Sequence, residues 1–349
     1  MSSSPRILAV GTANPPNRYS QREVYDFAAR HVEMYRNSRI EQIFMTSDID
    51  YRHFAFDMET LDPNESADAM HQRFEEHSVI IARQAIQRCL DNGGMQATDV
   101  DYIVAVSCTG YLCPGLSAIL IKDLGMRNDL QRADLVGMGC AGAMPGLQRA
   151  YDYVNAYPER NALVIAVEIC SACYYVDESL ETVVGNAICG DGAAAVIVGN
   201  HGAGTGPEIR QFETLLEPSF IHTVGFQFKS GKLRIILSKD IRDAAGGLAS
   251  RVISTLLMKA GLAKEDIAHW VIHSGGRKVI DSIKQEVGLT EEQLHHSRCV
   301  LKNFGNMSSP TVLFVLQETL RHSQPKPGDL GVLLAMGPGL AIEAGLIRW

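Results

Sequence analysis

The 349-residue chain has no stretch that reaches the roughly 18 uncharged apolar residues of a membrane span, and its opening, Met1-Ser-Ser-Ser-Pro-Arg-Ile-Leu, lacks the apolar core of a secretory leader. A cytoplasmic location and no membrane partner are the expectation. A basic surplus is also missing. Forty acidic residues against 32 basic ones give a net charge of −8, and the basic side chains are scattered, which argues against nucleic acid as a partner. An anionic substrate has to be met by a local patch. The C-x-x-C pair Cys170/Cys173 has no second pair at zinc-ligand spacing, and a chain of this size needs no disulfide staples, so the eight cysteines suggest neither a metal nor a disulfide framework. No low-complexity tail is present.

What the chain has is 46% hydrophobic residues, enough for one large α/β body or two coupled halves. Short continuous apolar runs at 6–10, 102–107, 162–167, 194–198, 271–273 and 331–335 read as strands buried on both faces. Helical periodicity over 64–92, 116–124, 142–157, 247–260, 278–286 and 309–321 covers them. The order of features repeats. Thr98-Asp-Val-Asp-Tyr-Ile-Val-Ala-Val-Ser-Cys108-Thr-Gly110 is echoed by Glu265-Asp-Ile-Ala-His-Trp-Val-Ile-His273-Ser-Gly-Gly276, and 161–167 with 190–199 is echoed by 328–339 with 342–347. A repeat of that length predicts a duplicated α/β unit and not a solenoid. The glycine-rich run 199–207 marks the join, giving halves at 1–202 and 203–349.

Val136-Gly-Met-Gly-Cys140-Ala-Gly-Ala-Met-Pro-Gly-Leu147 places one cysteine among small residues where a strand turns into a helix. Glycines at 137, 139 and 142 permit a tight turn, and a helix starting after Cys140 aims free N–H groups at the sulfur, which favours thiolate. Most free cysteines are inert small hydrophobes, so the segment needs partners before it means chemistry. His273 ends an apolar strand before Gly275-Gly276 and projects into the crevice at the strand ends, in position to take a proton. His295-His296 lie in a charged helical stretch and read as solvated surface. Asn306, in Leu301-Lys-Asn-Phe-Gly-Asn306-Met-Ser-Ser-Pro310, offers N–H donors to a carbonyl oxygen gaining charge, while Ser308 or Ser309 can cap the helix that begins at Pro310. A condensing acyltransferase and a papain-like cysteine hydrolase both fit these three residues. The hydrolase is disfavoured because its local cysteine signature is absent.

These residues resemble the thiolase superfamily and, within it, the type III polyketide synthases, the chalcone and stilbene synthase-like enzymes. The resemblance spans nearly the whole chain, from Leu8-Ala-Val-Gly-Thr-Ala-Asn-Pro-Pro16 through Gly190-Asp-Gly-Ala-Ala-Ala195 and Gly305-Asn-Met-Ser-Ser309 to Gly337-Pro-Gly339. Ketoacyl synthases of the third type differ at His273-Ser-Gly-Gly276, and thiolases need a cysteine that Met336-Gly-Pro-Gly339 lacks. Framework motifs such as Asp134-Leu-Val-Gly-Met-Gly-Cys140 and Ile347-Arg-Trp349 are similar to bacterial 3,5-dihydroxyphenylacetyl-CoA synthases. The resemblance implies a thiolase fold with duplicated halves in α-β-α-β-α layers. It implies Cys140 as the acyl carrier, His273 as its base and Asn306 as a helper in malonyl-CoA decarboxylation. It further implies a homodimer acting on a free acyl-CoA starter and malonyl-CoA, with no cofactor and no acyl carrier protein.

The same resemblance places Cys189 and Ile235 where two phenylalanines gate the plant pocket, so a wider gate and a longer starter, giving an alkylpyrone or alkylresorcinol, are expected. Phe226 cuts the other way, toward a shorter cavity. Cys108 and Cys173 replace pocket threonines, Cys113 takes the place of the residue that crosses the dimer interface, and Ser308 with Met336, Gly337, Pro338 and Gly339 completes the wall. For coenzyme A, Arg52 occupies a basic position of the family cluster, with Gly275, Gly276 and Lys278, and Arg277 beside it, as further candidates. A starter of malonyl-CoA itself and a non-catalytic acyl-CoA-binding protein are the alternatives.

Overall fold

The echo in the sequence is an echo in the strand pairing. The computed structural model describes residues 4–200, 206–229, 231–238 and 241–349. Its strands are β1 (Arg6–Ala13), β2 (Asn17–Ser20), β3 (Tyr51–Phe54), β4 (Tyr102–Ser107), β5 (Gln131–Val136), β6 (Ala162–Glu168), β7 (Gly192–Gly199), β8 (Glu208–Leu216), β9 (Val224–Lys229), β10 (Lys232–Leu237), β11 (Ile267–Ile272), β12 (Leu330–Gly337) and β13 (Ala341–Arg348). Its α-helices are α1 (Gln21–His31), α2 (Ser38–Met45), α3 (Ala67–Gly93), α4 (Leu116–Asp123), α5 (Ala143–Ala156), α6 (Leu180–Ile188), α7 (Ile241–Ala260), α8 (Arg277–Val287), α9 (His295–Phe304) and α10 (Thr311–His322).

The large sheet runs β11-β12-β13-β8-β1-β7-β6-β4-β5. From its centre outward, β1-β7-β6-β4 pairs antiparallel, antiparallel, parallel. On the other side, β8-β13-β12-β11 does the same. The two series meet at a single registered pair, Arg6↔Glu208, whose side chains are also 2.6 Å apart as an ion pair. β5 extends the first half in parallel with β4 and has no counterpart in the second among the described residues.

Alternation along each strand explains the layering. Ile103 and Ala105 of β4, with Leu163 and Ile165 of β6, turn to one face and bury against Ile81, Ala82, Ala85 and Ile86 of α3. Val104, Val106 and Val164 turn to the other and meet Met144 and Leu147 of α5, Leu313 and Leu316 of α10, and Leu333 and Ile347 from the second half. Beyond that half, Val252 and Leu256 of α7 and Ile280 and Ile283 of α8 close a third core over Ile272, Leu334 and Leu346. The order is α-β-α-β-α. Both sheet faces are buried, which is why the strands read as continuous apolar runs. α3 lies so close to β1 that a Cβ at Gly11 would sit 2.4 Å from the Ala85 carbonyl oxygen, so only glycine fits there.

Several elements were invisible to hydrophobic periodicity. α1 starts at a capping box: Ser20 Oγ accepts from the Glu23 amide at 3.2 Å, and Glu23 Oε2 accepts from the Ser20 amide at 2.7 Å. With α2 and β3 it buries an aromatic cluster of Tyr25, Phe27, Tyr35, Phe44 and Phe54. β5 is polar because it is an edge strand, largely uncovered. His295 is exposed as expected, whereas His296 is half-buried with Nε2 2.6 Å from Ser323 Oγ. Of the join at 199–207, residues 201–205 lie outside the described residues. No described helix is long and apolar enough to cross a membrane.

Candidate active site

After β5 the chain turns through Gly137 (φ 77°) and Gly139 (φ 51°) into a 3-10 turn, Gly139–Ala141, and then α5. Cys140 sits in that turn. A Cβ at Gly139 would fall 2.3 Å from Pro338 Cδ, and one at Gly337 would fall 2.6 Å from the Met138 carbonyl oxygen. The Met336-Gly-Pro-Gly339 loop of the second half therefore packs directly on the cysteine turn because neither side carries a Cβ at the contact.

Asn306 leaves α9 through Gly305 (φ 69°) and is held by backbone: its N–H donates to Ile188 O at 2.8 Å and its carbonyl accepts from Gly190 N at 3.0 Å, as a bridge beside Cys189. Its Oδ1 accepts from the Ser308 amide at 2.8 Å, which turns Nδ2 the other way to donate to Gly275 O at 3.2 Å. Cys140 Sγ lies 4.0 Å from Oδ1. His273 continues the β11 ladder, its amide donating to Leu334 O at 2.8 Å. A Cβ at Gly275 would sit 3.3 Å from His273 Nε2, so the imidazole lies against the same turn that anchors Asn306. The ring is 3% exposed, and Nδ1 has no hydrogen-bond partner.

Burial dominates the electrostatics. It pushes the Cys140 thiol up to about 12 despite the adjacent helix start, and it pushes His273 down to about 4. Both costs fall on a charge taken alone. A thiolate at Cys140 and an imidazolium at His273 would each be opposed by burial unless an opposite charge formed beside it. The expectation that the helix start alone would favour thiolate is corrected by this depth.

Periodicity gave no hint of Glu168, the last residue of β6. It is fully buried, and Oε2 accepts from Ser107 Oγ (3.2 Å), the Cys108 and Thr109 amides (3.0 and 3.1 Å) and Thr109 Oγ1 (2.8 Å), while Oε1 accepts from Ser309 Oγ at 2.6 Å. The carboxylate thus ties the end of β4 to the Asn306 loop. Ser309 is spent on this bond and Ser308 sits at φ 61°, so neither caps α10, whose N-cap is Pro310 without a side-chain bond. A charged residue ending an otherwise apolar strand was the available signal.

Cys108 Sγ lies 3.5 Å from Ser308 Oγ, and burial raises its pKa well above the usual thiol range. Cys173, Cys189 and Ile235 line one cavity, of only about 30 Å³. Phe226 from the β9–β10 hairpin, with Tyr174 and Tyr175, takes up the room that the absent gate aromatics were expected to leave. Cys113 is exposed, precedes a cis Pro114 and lines neither cavity.

A larger cleft of about 820 Å³ opens beside the Gly275 turn. Gly275, Gly276, Arg277 and Lys278 line one side at the start of α8, and Arg39 of α2 lines another. Arg39 was not foreseen. Arg52 is not in this cleft: it is 0% exposed, and its Nη1 donates to the carbonyls of Asn186 (2.5 Å) and Cys189 (2.8 Å), so it cannot reach a phosphate there and that assignment is withdrawn.

Residues 2–202 match the family described as chalcone and stilbene synthases, N-terminal domain, and residues 218–349 match the C-terminal domain of the same family. The chain is 34% identical over 356 residues to the 3,5-dihydroxyphenylacetyl-CoA synthase of Streptomyces toyocaensis, covering 99% of this chain and 90% of that protein. It is 33% identical over 350 residues to the 1,3,6,8-tetrahydroxynaphthalene synthase of Streptomyces peucetius subsp. caesius, covering 98% and 93%. Among solved structures, 1,3,6,8-tetrahydroxynaphthalene synthase from Streptomyces coelicolor A3(2), a bacterial type III polyketide synthase, superposes with a TM-score of 0.93 at 27% identity, over 99% of each chain.

Proposed function

The chain belongs to the chalcone and stilbene synthase family of type III polyketide synthases, enzymes of decarboxylative Claisen condensation, and from that premise we propose that Cys140 carries the growing acyl chain while His273 and Asn306 serve it. His273 takes the Cys140 proton, the thiolate attacks the starter thioester, and the leaving coenzyme A thiolate is protonated in turn. Malonyl-CoA then loses carbon dioxide, and the resulting enolate oxygen is held by donors from His273 and the Asn306 amide. The enolate attacks the Cys140 thioester, and the lengthened chain returns to Cys140 until it cyclises. The observation that carries this reading is the linked set Cys140–Asn306–Gly275–His273, with Asn306 and His273 buried, beside a cleft with cations on its walls.

Support for a short starter comes from the cavity beyond the site. A volume of about 30 Å³ holds one or two waters and has no room for an alkyl chain. Malonyl-CoA as both starter and extender, giving an aromatic product, therefore ranks above the long-chain pyrone or resorcinol reading. With labelled malonyl-CoA alone, the protein is expected to release carbon dioxide and form an aromatic product visible by mass spectrometry, and Cys140→Ala is expected to form none. A requirement for a long acyl-CoA would overturn the short starter and leave the synthase standing. Product from Cys140→Ala would overturn the assignment of the nucleophile.

For the nucleotide phosphates of coenzyme A, the reading relies on Arg39, Arg277, Lys278 and the free N–H groups that open α8. Arg277→Ala with Lys278→Ala is expected to raise the KM for malonyl-CoA roughly tenfold and to leave kcat within about twofold, because these charges hold a part of the substrate that does not react. A fall in kcat at unchanged KM would remove them from substrate binding. No acyl carrier protein and no cofactor enter the reading, and the location proposed is the cytoplasm. The uncovered edge of β5, with Val136 at 57% exposure, supports a homodimer across that edge.

A further inference from the structure

Beyond the reacting trio, the chain buries a cation that no carboxylate contacts. Arg52 is fully enclosed, and its Nε and Nη2 have no hydrogen-bond partner. The nearest buried carboxylate, Asp191, is committed elsewhere, accepting from the Ala55 amide (2.7 Å), the Ser171 amide (2.8 Å) and Ser171 Oγ (2.5 Å). An enclosed guanidinium without a counter-ion costs several kcal/mol, so the side chains around it matter. They are Tyr174, whose hydroxyl is likewise without a partner, and two cysteines, Cys170 and Cys189.

Both thiols line the same cavity of about 30 Å³, where Cys173 is a third. Arg52 Nη1 already holds the Cys189 carbonyl. The neighbouring Cys170 thiol, and after it the charge of Arg52, bring the Cys189 thiol below the ordinary range although burial opposes them, while Cys170 is raised. Every other buried cysteine of the site region, Cys108, Cys140 and Cys173, is raised as well. A thiol with thiolate character beside one that keeps its proton, both reaching a cavity large enough for a small hydroperoxide, is the arrangement of an attacking and a resolving cysteine.

We propose that Cys189 and Cys170 form a hydroperoxide-sensitive thiol pair, in which Cys189 is oxidised first and Cys170 closes a disulfide with it. The Cys189 sulfur attacks the distal oxygen of the hydroperoxide, the O–O bond breaks, and the departing alkoxide or hydroxide takes up a proton, leaving Cys189 as the sulfenic acid. The Cys170 thiol then attacks that sulfur, an S–S bond forms, and water leaves. Two thiols are oxidised and one peroxide is reduced. A disulfide at this point would tie together the two stretches of cavity wall that Cys170 and Cys189 supply.

The reduced full-length protein is exposed to one equivalent of hydrogen peroxide near pH 7, alkylated, and its cysteines are mapped by mass spectrometry. The expected result is a Cys170–Cys189 disulfide that dithiothreitol reverses. In Cys170→Ser the expected product is a dimedone adduct on Cys189, and in Cys189→Ser no adduct on Cys170. Oxidation of Cys140 or Cys113 while Cys189 remains a free thiol would overturn the proposal. So would a dimedone adduct on Cys170 in Cys189→Ser as strong as that on Cys189 in the converse variant.

Discussion

In His273→Ala, alkylation of Cys140 by iodoacetamide is expected to move upward in pH by more than about two units, and acyl loading at neutral pH to fall by roughly 10³ to 10⁴. The reason lies in where the site is buried. A thiol pushed up to about 12 does not ionise on its own near pH 7, and an imidazole pushed down to about 4 does not gain a proton from solvent. On the proposed mechanism the thiol's proton passes to the imidazole, and the two charges so created attract each other in a medium with little water. Removing the imidazole leaves the thiolate as a lone buried charge. Its onset must then follow hydroxide, upward in pH, and not downward. The measurement is the rate of alkylation at Cys140 from pH 6 to 10 in both proteins, with peptide mapping to separate Cys140 from the other thiols. Superimposable profiles would mean that some other group takes the proton. Decarboxylation of malonyl-CoA is expected to fall as well, since the role proposed for the same ring includes holding the enolate oxygen.

The second large effect concerns stability. Glu168→Ala is expected to lower stability by about 2–5 kcal/mol and the thermal midpoint by roughly 3–7 °C. The carboxylate serves five donors, and two of them, the Cys108 and Thr109 amides, are backbone groups that cannot rotate toward another partner. Leaving each without an acceptor costs about 1–3 kcal/mol, and the hydroxyls of Ser107, Thr109 and Ser309 lose an ionised partner besides. Glu168→Gln keeps one oxygen for the cluster on Oε2 and lets Ser309 accept from the new N–H₂, so its loss should be below about 2 kcal/mol. Because Ser309 belongs to the loop that presents Asn306, the alanine variant should also lose condensation activity at temperatures where it is still folded. Equal midpoints for the two variants would show that the ionised carboxylate is not what joins β4 to this loop.

How much was legible in the sequence follows from how each element is buried. β4, β6, β7 and β12 bury both faces, so their apolar runs are continuous and hard to misread, and the helices between them carry a clear period. The duplicated order then nominated His273, which stands where a strand ends against glycine, while Cys140 was legible from its own glycine-rich turn between strand and helix. β5 escaped because an edge strand has no need to be apolar, and α1 and α2 because they serve a separate aromatic cluster outside the layers. Arg52 was misjudged for a related reason. Sequence position says that a basic residue follows α2, but whether it faces solvent depends on the carbonyls of Asn186 and Cys189, more than 130 residues away. The width of the pocket was left open between a wider gate and a Phe226 that shortens the cavity. Two missing phenylalanines at 189 and 235 say that space is vacated, and only the path of the β9–β10 hairpin says that Phe226 occupies it.

The joining of the halves also sets a tolerance. Cys140 is carried by one half and Asn306 with His273 by the other, yet within the sheet the halves register at one residue pair, Arg6 with Glu208. The reaction centre works as a vernier across that join. Sliding one half along the other by a single strand residue, about 3.3 Å, would be a shift close in size to the 4.0 Å between Cys140 and Asn306, and would shear the core that Val104 and Met144 share with Leu333 and Ile347. The alignment of the two scales, more than the integrity of either, is what the chemistry reads.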